Sequence, residues 1–144
     1  MKINLMVAII VFLWIGMILA IGMESIVKFQ TPTLTKLVAF DVGRTVFNAF
    51  NKVQLFLLAL VVLGACFGHV SRVEITLICG LAVTLLLQIF WLFPELNQRV
   101  DMLFNGVTPP ASYKHALYGM LEVVKLVLLL VSGFVLLPVS VFSK

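Results

Sequence analysis

From Ile3 to Met23 the chain carries no charged residue, and three more uncharged stretches follow, Val53 to Ser71, Ile75 to Pro94 and Leu126 to Ser143. An apolar run of about 18 residues or more is long enough to cross the hydrocarbon core of a bilayer as a helix. A helix also satisfies its own backbone hydrogen bonds, which lipid cannot do for it. This pattern predicts an all-α fold, a four-span transmembrane helical bundle. The spans cover about 3–23, 53–71, 75–94 and 115–142, joined by polar connectors at 24–52 and 95–114. The 144 residues read as a single integral membrane domain.

Composition agrees with this reading. Apolar residues make up 62% of the chain and charged residues 11%, against about 45–50% and about 25% in soluble domains. A soluble fold of this size has too little interior to hide that surface. The net charge of +4 is spread over several loops. It reads as an orientation signal and as contact with lipid headgroups, and no nucleic-acid partner is expected. Cys66 and Cys79 lie deep in apolar segments and read as free thiols.

The first run has a competing reading as a cleaved signal sequence, with Lys2 as its basic start and Ala20-Ile21-Gly22 as a small-residue cleavage site. Its length favours a span. In the first connector, Thr31-Pro32-Thr33 should break a helix. Beyond it, Leu37, Val38, Phe40, Val46, Phe47 and Phe50 fall at helical spacing. They predict an interfacial helix or an early start of helix two. Pro94 is expected to close span three, and Asn105-Gly106 and Pro109-Pro110 supply turn chemistry after it. Ser112 is placed to cap the helix that enters span four.

Orientation follows from the basic residues. Lys28, Lys36, Arg44, Lys52, Arg99 and Lys114 lie in the two connectors, against Lys2, Arg72 and Lys144 on the opposite side. The positive-inside rule then puts both connectors in the cytoplasm and both termini on the outer side of a cell inner (plasma) membrane.

This topology gathers polar residues in the cytoplasmic half. Glu24 and Lys28 close span one. Arg44, Asn48 and Asn51 share one helical face leading into span two, followed by Gln54. Gln88 lies low in span three, and His115, Tyr118, Glu122 and Lys125 share a face entering span four. Ionisable groups within a membrane are costly and usually face a bundle interior or a wet cavity. The candidate ligand-binding set is therefore Glu24, Lys28, Arg44, Asn48, Asn51, Gln88, His115, Glu122 and Lys125. The competing reading is structural: snorkelling lysines, in-helix ion pairs and asparagines that join helices. Glu122 needs a partner in either reading. A cross-helix cation, Arg44 or Lys28, is the expected one, because Lys125 on the same helix pairs only loosely at i,i+3.

No cofactor and no catalytic residue is expected. His69 and His115 fall at opposite ends of their spans, which argues against bis-histidine haem, and no metal-ligand spacing or nucleotide fingerprint occurs. Gly64 and Gly68 form a GxxxG step, and Gly16 with Ala20 a small-xxx-small step. Both predict close helix packing.

Asp41-Val42-Gly43-Arg44 with Val46-Phe47 ahead of span two, Pro94 at the end of span three, Arg99 beyond it, and His115 with Leu117 at span four form a recognisable layout. It resembles the family of uncharacterised four-helix membrane proteins that includes transmembrane protein 205 and its bacterial relatives of unknown function. The resemblance implies a four-helix integral membrane protein and supplies no catalytic residues.

The expected function is that of a non-enzymatic membrane protein, an accessory or interaction subunit of a larger complex. Its expected partners are membrane lipids and either other subunits or further copies of itself. The alternative is a small transporter or binding protein for a polar or anionic ligand, with a pocket open to the cytoplasm.

Overall fold

The computed structural model describes residues 2–68 and 70–137. His69, and the expected end of span four at 138–142, lie outside the described residues. Among the described residues the fold is all-helical. Four helical stretches, Asn4–Gln30, Lys36–Phe67, Arg72–Phe104 and Lys114–Leu136, are each long and apolar enough to cross a membrane.

Helix α1 spans Lys2–Val27 and ends in a short 3-10 turn, Lys28–Gln30. Thr31-Pro32-Thr33 breaks the chain as expected, and a turn closes through Leu34 N–H to Thr31 O at 3.1 Å. Helix α2 then runs unbroken over Lys36–Phe67, with Thr35 as its N-cap accepting the Val38 N–H. Of the two expected outcomes for Leu37 to Phe50, the early start of helix two is the one observed. The connector expected at 24–52 is thus mostly helix, and only about five residues at 31–35 join α1 to α2. Water and lipid headgroups tolerate a helix as readily as lipid tails do, provided its first N–H groups are capped.

Ser71 and Glu74 build the start of helix α3, Arg72–Leu87, as a reciprocal capping box. The Ser71 N–H donates to the Glu74 carboxylate at 2.6 Å and the Glu74 N–H to the Ser71 hydroxyl at 3.2 Å. This helix was expected to stop at Pro94, and it does not. A five-residue π turn, Gln88–Leu92, leads into helix α4, Phe93–Phe104, so that the helix continues through the proline. The π turn closes with the Phe93 N–H on Gln88 O. A proline lacks an N–H and crowds the carbonyl one turn back, so it normally kinks or ends a helix. The wider turn just upstream takes up that crowding. After Gly106, at φ +71°, an irregular stretch leads to helix α5, Lys114–Leu136. Ser112 is not the N-cap expected from the sequence: Tyr113 precedes α5 with no side-chain capping bond, and the Ser112 hydroxyl accepts the Lys114 N–H at 3.2 Å from one residue further out.

Helix α1 packs against α2 and α5, α3 packs against α5, and α2 meets α3 and α4. Val7, Val11, Trp14, Ile18, Phe50, Val61, Leu81, Leu85 and Leu129 form the apolar core. Around the outside, large apolar residues such as Leu13, Phe56, Phe90 and Phe134 are exposed on every helix that can span. Such faces suit lipid or another apolar surface.

The expected glycine contacts divide. An added Cβ at Gly64 would collide with Val7 Cγ2, so α1 and α2 touch there as predicted. Gly68 is the C-terminal cap of α2. Gly16 meets nothing within 4 Å and Ala20 is exposed, so the small-residue step of α1 does not pack inside the bundle. Small residues permit close approach but do not compel it. Gly133 is the close contact the sequence reading missed, with an added Cβ 2.9 Å from the Phe12 ring.

Candidate functional site

The centre of the bundle is a polar network supplied by all four span-length helices. Gln54, from α2, is fully buried, and its Oε1 accepts two hydrogen bonds. One comes from the indole Nε1 of Trp14 on α1 at 3.1 Å, the other from Lys125 Nζ on α5 at 2.5 Å. Lys125 also donates to Glu122 Oε1 at 2.9 Å. That oxygen takes a further bond from Gln88 Nε2 at 3.1 Å, and the same Gln88 nitrogen lies 3.1 Å from the Tyr118 carbonyl. The Tyr118 hydroxyl donates to Asn51 Oδ1 at 3.0 Å, and Gln54 Nε2 reaches the same atom at 3.4 Å.

Local structure explains why these side chains converge. Asn51 and Gln54 lie three residues apart on α2, and Tyr118, Glu122 and Lys125 follow at helical spacing on α5. Gln88 opens the π turn, where the altered helix period aims it at α5. The aromatic shell is close as well. Phe47 meets Tyr118 edge to face at 5.5 Å, and Phe50 lies 5.8 Å from Lys125 Nζ, a cation–π contact. Lys125 is fully buried while the Glu122 side chain is 16% exposed. An ammonium in this position is tolerable because a carboxylate, an amide oxygen and a π-face surround it. Three buried atoms of the network, Asn51 Nδ2, Gln88 Oε1 and Glu122 Oε2, have no protein hydrogen-bond partner.

Of the nine residues expected to form one site, the structure brings together Asn51, Gln88, Glu122 and Lys125. The others lie elsewhere. Glu24 and Lys28 pair with each other at 3.3 Å, with Lys28 lying over Gly43 of α2. Arg44 grips Asp41 on its own helix at 2.6 Å and Asp101 of α4 at 2.5 Å, and its guanidinium lies 5.8 Å from the Phe104 ring centre. Asn48 and His115 are exposed. The cation of Glu122 is therefore Lys125, not Arg44 or Lys28. The i,i+3 geometry suffices because Gln54 and Phe50 hold the ammonium from the other side. Trp14 is the participant the sequence reading missed. The available signal was an indole N–H in mid-span, which needs an acceptor.

Cys66 and Cys79 are exposed free thiols, and no metal-binding group of three or more ligands occurs among the described residues.

The fold and its core define an all-helical bundle of four span-length helices tied by one internal polar network. Comparison with family models, with curated proteins and with solved structures found no match.

Proposed function

We propose that this chain is a non-enzymatic subunit of a cell inner (plasma) membrane, with both termini outside, that joins a larger assembly through its apolar outer faces. The observation that carries the reading is the use of the buried polar groups. Trp14, Gln54, Gln88, Tyr118, Glu122 and Lys125 bond to one another and fix the relative positions of four helices. Breaking one buried ion pair in such a core leaves a charge without a partner, at a cost of about 3–5 kcal/mol. The network thus favours one helix arrangement, and a rigid arrangement suits presentation of a fixed surface. The test is isolation from native membranes in mild detergent, after cross-linking from cysteines placed at exposed Leu13 and Phe134. A partner subunit or a second copy recovered in constant ratio supports the reading. A lone, uncross-linked chain overturns it.

A second reading, a small binding protein or transporter for a polar ligand, draws support from the three unpartnered atoms at Asn51, Gln88 and Glu122. It predicts that a small polar solute stabilises the wild type and not Asn51→Ala. Arg44 is not part of that site, since both of its arms are engaged by carboxylates.

A further inference from the structure

A cleft open to the surface lies away from the polar core, beside the polar end of α4. It holds about 300 Å³ between α4 and the stretch that enters α5, and its walls include Glu95, Gln98, Arg99, Ser112, Tyr113 and Lys114. The placement follows from the sequence. The uncharged run of the third span-length helix ends at Pro94, Glu95 follows directly, and Arg99 comes about one turn beyond it. Trp91, Glu95, Gln98 and Met102 follow at helical spacing, so the cleft continues a strip that begins with an exposed tryptophan. Tryptophan at such a boundary is typical of the headgroup layer.

The charges of the cleft are arranged for an anion. Glu95 is already engaged by Lys114, at 2.5 Å. Arg99 donates Nη1 to the Pro110 carbonyl at 2.6 Å, which braces the guanidinium across the cleft without neutralising it. Among the described residues no carboxylate pairs with Arg99, and its remaining N–H groups have no protein acceptor. Arg44, at the same end of the bundle, is by contrast spent on two aspartates. Two cations against one acid leave the cleft with a formal charge of +1, complementary to one phosphodiester.

Resting on the membrane reading, we propose that this cleft binds the headgroup of an anionic phospholipid, with Arg99 as the phosphate-contacting residue. A guanidinium offers a phosphate a planar pair of donors, which a lysine does not. Ser112 and Tyr113 also line the cleft, and their hydroxyl chemistry suits the polyol of a glycerol headgroup.

The test uses the full chain purified in detergent, with bound lipids counted by native mass spectrometry. The probes are phosphatidylglycerol, phosphatidylcholine and soluble sn-glycerol 3-phosphate. Phosphatidylglycerol should be retained in preference to phosphatidylcholine, and glycerol phosphate at equal concentration should not displace it. Arg99→Gln should weaken phosphatidylglycerol retention about tenfold, as expected for one lost charge-assisted contact. Gln98→Glu, on the exposed wall, should do the same without removing the brace to Pro110. Lys36→Gln, a basic residue outside the cleft, should leave retention unchanged. Equal retention of the two lipids, displacement by glycerol phosphate, or wild-type preference in both cleft variants would overturn the proposal. The co-purification result for the proposed subunit role is independent of each of these outcomes.

Discussion

Lys125 Nζ lies 2.5 Å from Gln54 Oε1, and through this contact α5 is tied to α2 at the centre of the bundle. The same amide oxygen holds the Trp14 indole, so one buried acceptor joins three helices. Lys125→Met removes the ammonium and leaves the Glu122 carboxylate to Gln88 alone. It should destabilise the protein by about 3–5 kcal/mol, the usual cost of an orphaned buried charge. Glu122→Gln together with Lys125→Met should cost less than the sum of the two single changes. Reversible unfolding in mixed micelles measures both, and strict additivity would show that the two groups do not interact.

Trp14→Phe deletes the N–H and, since phenyl is smaller than indole, also leaves a small cavity at a fully buried position. The expected loss is about 0.6–2 kcal/mol for one interhelical hydrogen bond in a bundle of this kind, plus about 1 kcal/mol for the lost packing. Gln54→Leu removes the shared acceptor and should cost more than Trp14→Phe, because Lys125 loses its partner on α2 as well. The ranking in a thermal-denaturation series checks this.

Arg44 and Asp101 should couple in a double-mutant cycle, and Arg44 and Glu122 should not. The first pair is an ion pair between α2 and α4, whereas Glu122 is engaged by Lys125 and Gln88. The Arg44–Asp101 coupling should fade in high salt, since both side chains are accessible to solvent. A coupling between Arg44 and Glu122 would contradict the observed core.

Gly64→Leu should destabilise the bundle by about 1–3 kcal/mol, because any Cβ there meets Val7. Gly16→Leu should leave monomer stability unchanged, because nothing lies within 4 Å of that position. If Gly16→Leu instead abolishes recovery of a partner, the outer face of α1 is the surface that assembles.

Orientation has its own check. In a background with Cys66 and Cys79 replaced by serine, a cysteine at Lys36 or Asn105 should resist an impermeant thiol reagent in intact cells. One at Arg72 should react. The opposite pattern reverses the topology inferred from the basic residues.

Much of the fold was legible in the sequence because bilayer crossing depends on run length and charge exclusion, which are local properties. The break at Pro32 and the close contact at Gly64 could be read the same way. So could the early start of α2, because Leu37 to Phe50 carry apolar residues at helical spacing ahead of the uncharged run. The capping box at Ser71 was not anticipated, and the cap expected at Ser112 is not formed. The reach of α4 could not be read either: Glu95 to Phe104 is polar enough to read as a connector, yet it is helix. The continuation through Pro94 depends on a π turn that leaves no clear mark in the sequence.

In the core, helical periodicity alone puts Asn51 and Gln54 on one face of α2, and Glu122 and Lys125 on one face of α5, because it sets the angle around each axis. The pairing across helices is a matter of packing. Whether Lys125 meets Gln54, and whether Arg44 meets Asp101 or Glu122, depends on how far helices slide and turn against one another. That choice is made by contacts such as Gly64 on Val7 and Gly133 on Phe12, between residues distant in the chain. Side-chain chemistry restricts which pairs are possible, and helix packing selects among them.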